Sequence, residues 1–266
     1  MPINKVQEKK KLRGICTGFI YNEDGIIEIS LKHITIFTCA VLSIALFIML
    51  YLACTDDKWW VVAGEKQYKR KCHFEQGNYQ LPMVSDVICL AMFDRIWCIL
   101  STLFALTCMQ VNIRAAYKHC WDIGACKGWN DACVIIGAIL CVSFPLIGYF
   151  DEHVYSGLHG FFATCFFSST CFYANILAHE LWEHRANIPE KFHNTISILW
   201  WVGWIMCGIL VLFGISFQLP HFGPMGFNPP FWEWSLALLY INYYTIASLM
   251  NPYYDSIQPL DEETMN

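Results

Sequence analysis

Ile34-Thr35-Ile36-Phe37-Thr38-Cys39-Ala40-Val41-Leu42-Ser43-Ile44-Ala45-Leu46-Phe47-Ile48-Met49-Leu50-Tyr51-Leu52-Ala53 is a run of 20 residues without a charge. About 20 apolar residues, each rising 1.5 Å along a helix, cross a hydrocarbon core of about 30 Å. This run therefore predicts a membrane-spanning helix. Five more stretches read the same way: 96–113, 132–150, 158–178, 196–219 and 234–250. In lipid every backbone polar group must be paired, which makes these spans helices. The alternating ten-residue segments of an outer-membrane barrel are absent from the sequence.

Composition agrees. Of 266 residues, 56% are hydrophobic and 15% charged, against about 25% charged in soluble domains. The net charge of −5 gives no basic signal for nucleic acid. The 14 cysteines are too scattered for a small disulfide scaffold. The expected fold class is all-α, a polytopic six-helix transmembrane bundle with one larger lumenal loop. Its parts are a cytosolic N-terminal tail at 1–33, a transmembrane domain at 34–251 with the lumenal loop at 55–92, and a cytosolic C-terminal tail at 252–266. No cleavable signal precedes the first helix, which is read as an uncleaved signal anchor.

Lys/Arg asymmetry sets the orientation. With the N-terminus in the cytosol, eleven of the 17 Lys/Arg lie inside, among them Lys5, Lys9, Arg13, Lys32, Arg185 and Lys191. Arg114, Lys118 and Lys127 line the loop between the second and third passes, and are read as contacts for anionic lipid headgroups or as a topology signal alone.

The outer side collects the chemistry. Cys54 closes the first helix and Cys72 lies in the following loop. An oxidising lumen lets such a pair persist as a disulfide, the alternative being two free thiols. Pro82 pushes Leu81 towards extended backbone, so that Ser85 or Asp86 caps a short interfacial helix at 87–92, or else faces a headgroup. Asp151-Glu152-His153 forms the next outer turn, His159 begins the fourth pass and Glu233 precedes the sixth. Ionisable groups at membrane depth are costly and face a cavity or each other. His159, Glu233 and Asp86, with Ser85 and Arg95 beside them, are expected to converge on one lumenal polar pocket. It either receives a lipid headgroup or closes the bundle structurally.

No metal and no cofactor is expected. His179-Glu180-Leu181-Trp182-Glu183-His184 places Glu183 where a zincin needs its second His, and fits i,i+4 ion pairs at a helix end. Phosphate-cradling and nucleophile-elbow motifs are missing from the sequence as well.

Cys72…Asn78-Tyr79-Gln80-Leu81-Pro82-Met83-Val84-Ser85-Asp86, Arg114 at the inner end of the second pass, His159 before an aromatic-rich helix and Glu233-Trp234-Ser235 occur in this order. Together they resemble the FRAG/DRAM/SFK family over residues 34–255. That family includes the post-GPI-attachment lipid-remodelling factor and the DRAM autophagy modulators. Its acidic residue about 17 positions after the sixth-pass Glu is replaced by Met250, and Asp255 stands further on. The resemblance implies membrane lipid handling such as GPI-anchor lipid remodelling in ER or Golgi membranes. Its other branches imply a lysosomal or plasma-membrane regulator of autophagy or of phosphoinositide-kinase recruitment. An intramembrane lipid hydrolase or acyltransferase at His159 is the third alternative, and the weight of the reading is against an enzyme. Expected partners are membrane lipids and other membrane proteins.

Overall fold

The structure, a computed structural model, describes the backbone at 12–13, 19–21, 27–29, 31–55, 61–62, 66–67, 73–75, 78–218 and 228–250. Side chains are described for 32–55, 81–218 and 228–250. Cys72, Asp255 and the C-terminal tail at 252–266 lie outside these residues, as do the side chains of the N-terminal tail through residue 31. Short antiparallel ladders pair Leu12–Arg13, Phe19–Tyr21 and Ile27–Ile29 in sequence order. Two hairpins pair Val61–Val62 with Lys66–Gln67 and His73–Glu75 with Asn78–Gln80.

Most of the other described residues are helical: α1 (Leu31–Thr55), α2 (Val84–Ile88), α3 (Ala91–Phe104), α4 (Gln110–Asp122), α5 (Lys127–Tyr149), α6 (Glu152–Glu183), α7 (His193–Ser216) and α8 (Pro229–Ala247). A π-helical turn at Ala105–Met109 joins α3 and α4 into one rod. Among the described residues, five helices are long and apolar enough to cross a membrane: α1, α3–α4, α5, α6, and α7 with the short turn before it. α8 is the exception, for reasons its packing supplies below.

Polar residues extend several helices beyond their apolar runs. The second rod continues past Ile113 to Asp122 and stops at a glycine C-cap. Gly124 adopts φ +88°, and Ala125 N–H donates back to the Cys120 carbonyl at 2.9 Å. α8 starts five residues before Trp234, at Pro229-Pro230, whose missing N–H groups suit a first turn. Glu233 thus sits inside α8, where the sequence reading put it ahead of the helix.

The helices close into a ring in the order α1, α3, α5, α6, α7, α8 and back to α1. Aromatic rings fill the middle. Phe144 of α5 stacks on Phe166 of α6 at 4.9 Å, and Phe166 meets Tyr240 of α8 edge-on at 4.8 Å. Phe104 bridges Phe144 and Tyr244. Large apolar side chains also cover the outside of the ring, Phe37, Ile44, Ile135, Val142, Trp201 and Val211 among them. Such an outer face suits hydrocarbon and not water. Polar cross-ties are few: Asn112 Nδ2 donates to Thr35 Oγ1 at 2.8 Å, and Asn175 Nδ2 to the Gly203 carbonyl at 3.1 Å.

Candidate functional site

Pro82 directs the chain across the open end of the ring. Met83 is extended (φ −64°, ψ 157°) and α2 begins at Val84. This corrects the expected interfacial helix at 87–92. α2 lies earlier, and all five of its residues are buried, with Cys89 and Leu90 after them. It plugs the ring, packed against α1 and α8.

A buried helix start exposes N–H groups that need acceptors. Asp86 Oδ2 accepts from Met83 N–H at 3.1 Å. Glu233 of α8 supplies the other acceptors: Oε2 takes Val84 N–H at 2.8 Å, and Oε1 takes Ser85 N–H at 3.4 Å. Trp234 adds an indole N–H bond to the Pro82 carbonyl at 2.8 Å. The Pro82–Asp86 segment and the Glu233-Trp234 pair, two of the stretches behind the family resemblance, are therefore each other's hydrogen-bond partners.

His159 has a comparable post. α5 ends at Tyr149 and α6 starts within three residues, with Asp151 Oδ1 accepting from His153 N–H at 2.6 Å. α6 kinks at Tyr155 (φ −126°, ψ 47°), which turns His159 back onto the end of α5. Its Nδ1 lies 3.0 Å from the Ile147 carbonyl and 2.9 Å from the Phe150 carbonyl. Carbonyls only accept, so Nδ1 carries the proton, and in the neutral ring Nε2 is left as an acceptor. His159 is 4% exposed, and its Nε2 makes no hydrogen bond among the described residues.

Beside it lies a cavity of about 390 Å³. Met83, Ser85, Glu152, His159 and Glu233 form its outer end, while Phe167, Leu210 and Phe213 form its walls between α6 and α7. A narrower cavity of about 30 Å³ continues from Ser85, His159 and Glu233 towards Trp97, Phe144 and Tyr240. Ser85, His159 and Glu233 thus share one chamber. Asp86 does not line it, being turned to Met83, and Arg95 is exposed on α3 away from it. Next to α2, burial pushes the Cys89 thiol well above its ordinary pKa, while its sulfur receives Glu152 N–H at 3.4 Å.

At the opposite end Arg114, Lys118 and Lys127 are exposed around the α4–α5 turn. His184 Nδ1 lies 3.8 Å from Glu180 Oε2, four residues before it. Among the described residues no cluster of three His, Cys, Asp or Glu is placed to hold a metal. Cys54 is disulfide-bonded, and the other described cysteines are free, so its partner lies outside the described residues, as Cys72 does.

The sequence reading missed Trp234 as a clamp, Glu152 as part of the chamber and the whole α7 wall. α7 is apolar on all sides and carries no chemical label. Gly214, which opens onto the cavity, was the one signal available. No protein-family model, curated protein or solved structure matches the chain.

Proposed function

We propose that this chain is a six-pass integral membrane protein that handles a membrane lipid at its lumenal end, in GPI-anchor lipid remodelling within ER or Golgi membranes. The carrying observation is the chamber at Ser85, His159 and Glu233. Its ionisable groups sit at one end, and walls that are mostly apolar run along α6 and α7, the pattern an amphipathic lipid needs. The mutual bonding of the Pro82–Asp86 and Glu233-Trp234 segments supports the family reading, because it gives both motifs one structural job.

α8 serves as the sixth pass. Its 19 residues reach about 28 Å, close to the hydrocarbon thickness. Glu233, Trp234, Tyr240, Tyr243 and Tyr244 are buried inside the ring, so this helix has little lipid to face and needs less apolar character.

Cells lacking the chain test the reading. GPI-anchored proteins are expected to be lost from the surface or released to the medium, and a tagged chain to localise to ER or Golgi. Unchanged anchored proteins with a lysosomal or plasma-membrane tag would sink the remodelling reading in favour of a regulator.

A further inference from the structure

We propose that the chamber takes a single-chain amphiphile whose head donates hydrogen bonds, a hydroxyl or an ammonium, and that this ligand enters sideways from the outer leaflet between α6 and α7. The inference deepens the lipid-handling reading and rests on it.

The head chemistry follows from the polar groups of the wall. They are the Glu152 and Glu233 carboxylates, His159, and the Ser85, Thr164 and Ser168 hydroxyls, with no Lys or Arg among them. Thr164 already donates its hydroxyl proton to the Gly160 carbonyl at 2.8 Å. His159 offers a proton acceptor at Nε2. Acceptors therefore prevail. A phosphate would meet the Glu152 carboxylate and no balancing cation in a site of low dielectric, where like charges are strongly disfavoured. A hydroxyl or ammonium group finds acceptors on several sides.

The tail follows from the walls. His159 to Ser168 covers nine steps of helix, about 13 Å, close to one leaflet of a bilayer with a core of about 30 Å. Phe167, Leu210 and Phe213 flank this depth. A cavity of about 390 Å³ is near the small end of ligand sites and suits one hydrocarbon chain.

The sideways route follows from two glycines. Gly160 and Gly214 line the cavity and are exposed on the outer, lipid-facing side of α6 and α7. A Cβ built on either meets nothing within 4 Å. The gap is open there, and a larger side chain would narrow it without displacing a neighbour.

The test uses the full chain, purified and returned to phosphatidylcholine vesicles. Three diazirine-bearing probes of equal chain length are compared: sphingosine, 1-monoacylglycerol and lysophosphatidic acid. The expected result is labelling of α6 and α7 peptides by sphingosine or monoacylglycerol, about tenfold above lysophosphatidic acid. Whichever of the first two dominates tells an ammonium head from a hydroxyl head. Gly214→Leu should abolish labelling. Gly208→Leu, on the same helix and equally open but off the cavity wall, should not. Equal labelling by lysophosphatidic acid overturns the head preference, and full labelling of Gly214→Leu overturns the sideways route. Absence of α6–α7 labelling by any probe overturns the site. The remodelling reading stands or falls separately, on the anchored-protein assay in cells.

Discussion

Trp234 donates its indole N–H to the carbonyl of Pro82, 152 residues earlier in the chain, at 2.8 Å. With Glu233 it fastens the plug α2 to the start of α8. The outer end of the bundle is thereby held by two adjacent side chains, and their loss should be felt as stability before it is felt as chemistry.

Glu233→Leu leaves the buried N–H groups of Val84 and Ser85 without acceptors. Each such group costs about 1–3 kcal/mol, so a clear fall in the unfolding midpoint in detergent is expected. Glu233→Gln keeps one carbonyl oxygen and should lie between. A midpoint for Glu233→Leu equal to that of the unaltered chain would remove the clamp from the account.

At His159 two substitutions separate anchoring from chemistry. His159→Asn keeps an N–H donor near the position of Nδ1, within reach of the Ile147 and Phe150 carbonyls, and removes Nε2. It should fold normally and fail to restore surface GPI-anchored proteins in cells lacking the chain. His159→Ala loses both bonds and should also lower the unfolding midpoint. Full rescue by His159→Asn argues that the ring is only a helix-end tie.

Gly148 lies where α5 passes Trp97. A Cβ there would stand 2.5 Å from Trp97 Cδ1, whereas at Gly208 it meets nothing within 4 Å. Overpacking costs about 1–3 kcal/mol, so Gly148→Ala should lower the midpoint and Gly208→Ala should not. Equal midpoints for the two would contradict this packing.

Thiol labelling reads both topology and oxidation. Cys126 is exposed at the α4–α5 turn and should react with an impermeant maleimide from the side that bears the N-terminus. Cys89 should stay unreactive, because burial raises its pKa and shields the sulfur. Cys54 and Cys72 are expected to label only after reduction, since a bridge across the 17 residues between them is worth roughly 3 kcal/mol. Reaction of Cys126 from the opposite side reverses the orientation, and full labelling of Cys72 without reductant removes it as partner of Cys54.

Uncharged runs made the passes legible, because only the lipid-facing part of each helix must be apolar. Their ends were less so. α6 continues through the buried Glu180 to the exposed Glu183, beyond the uncharged run, and Pro229-Pro230 was the unread start signal of α8. His159 and Glu233 stood out because ionisable groups are expensive at that depth. What the sequence hid was their occupation. Glu233 is engaged by backbone N–H groups, which leave no trace in residue identity, and the opposing wall is built from glycines and phenylalanines that any pass might carry.

The burial of α8 has a consequence for biogenesis. A translocon inserts a segment by its own partition free energy, and Glu233, Asn242 and three tyrosines weigh against that. Its neighbours α1 and α7 are strongly apolar, and both are synthesised before α8. As the proposed sixth pass, α8 therefore depends on these earlier-made neighbours to receive it. A chain lacking α1 should leave α8 outside the bilayer, although every residue of α8 is intact.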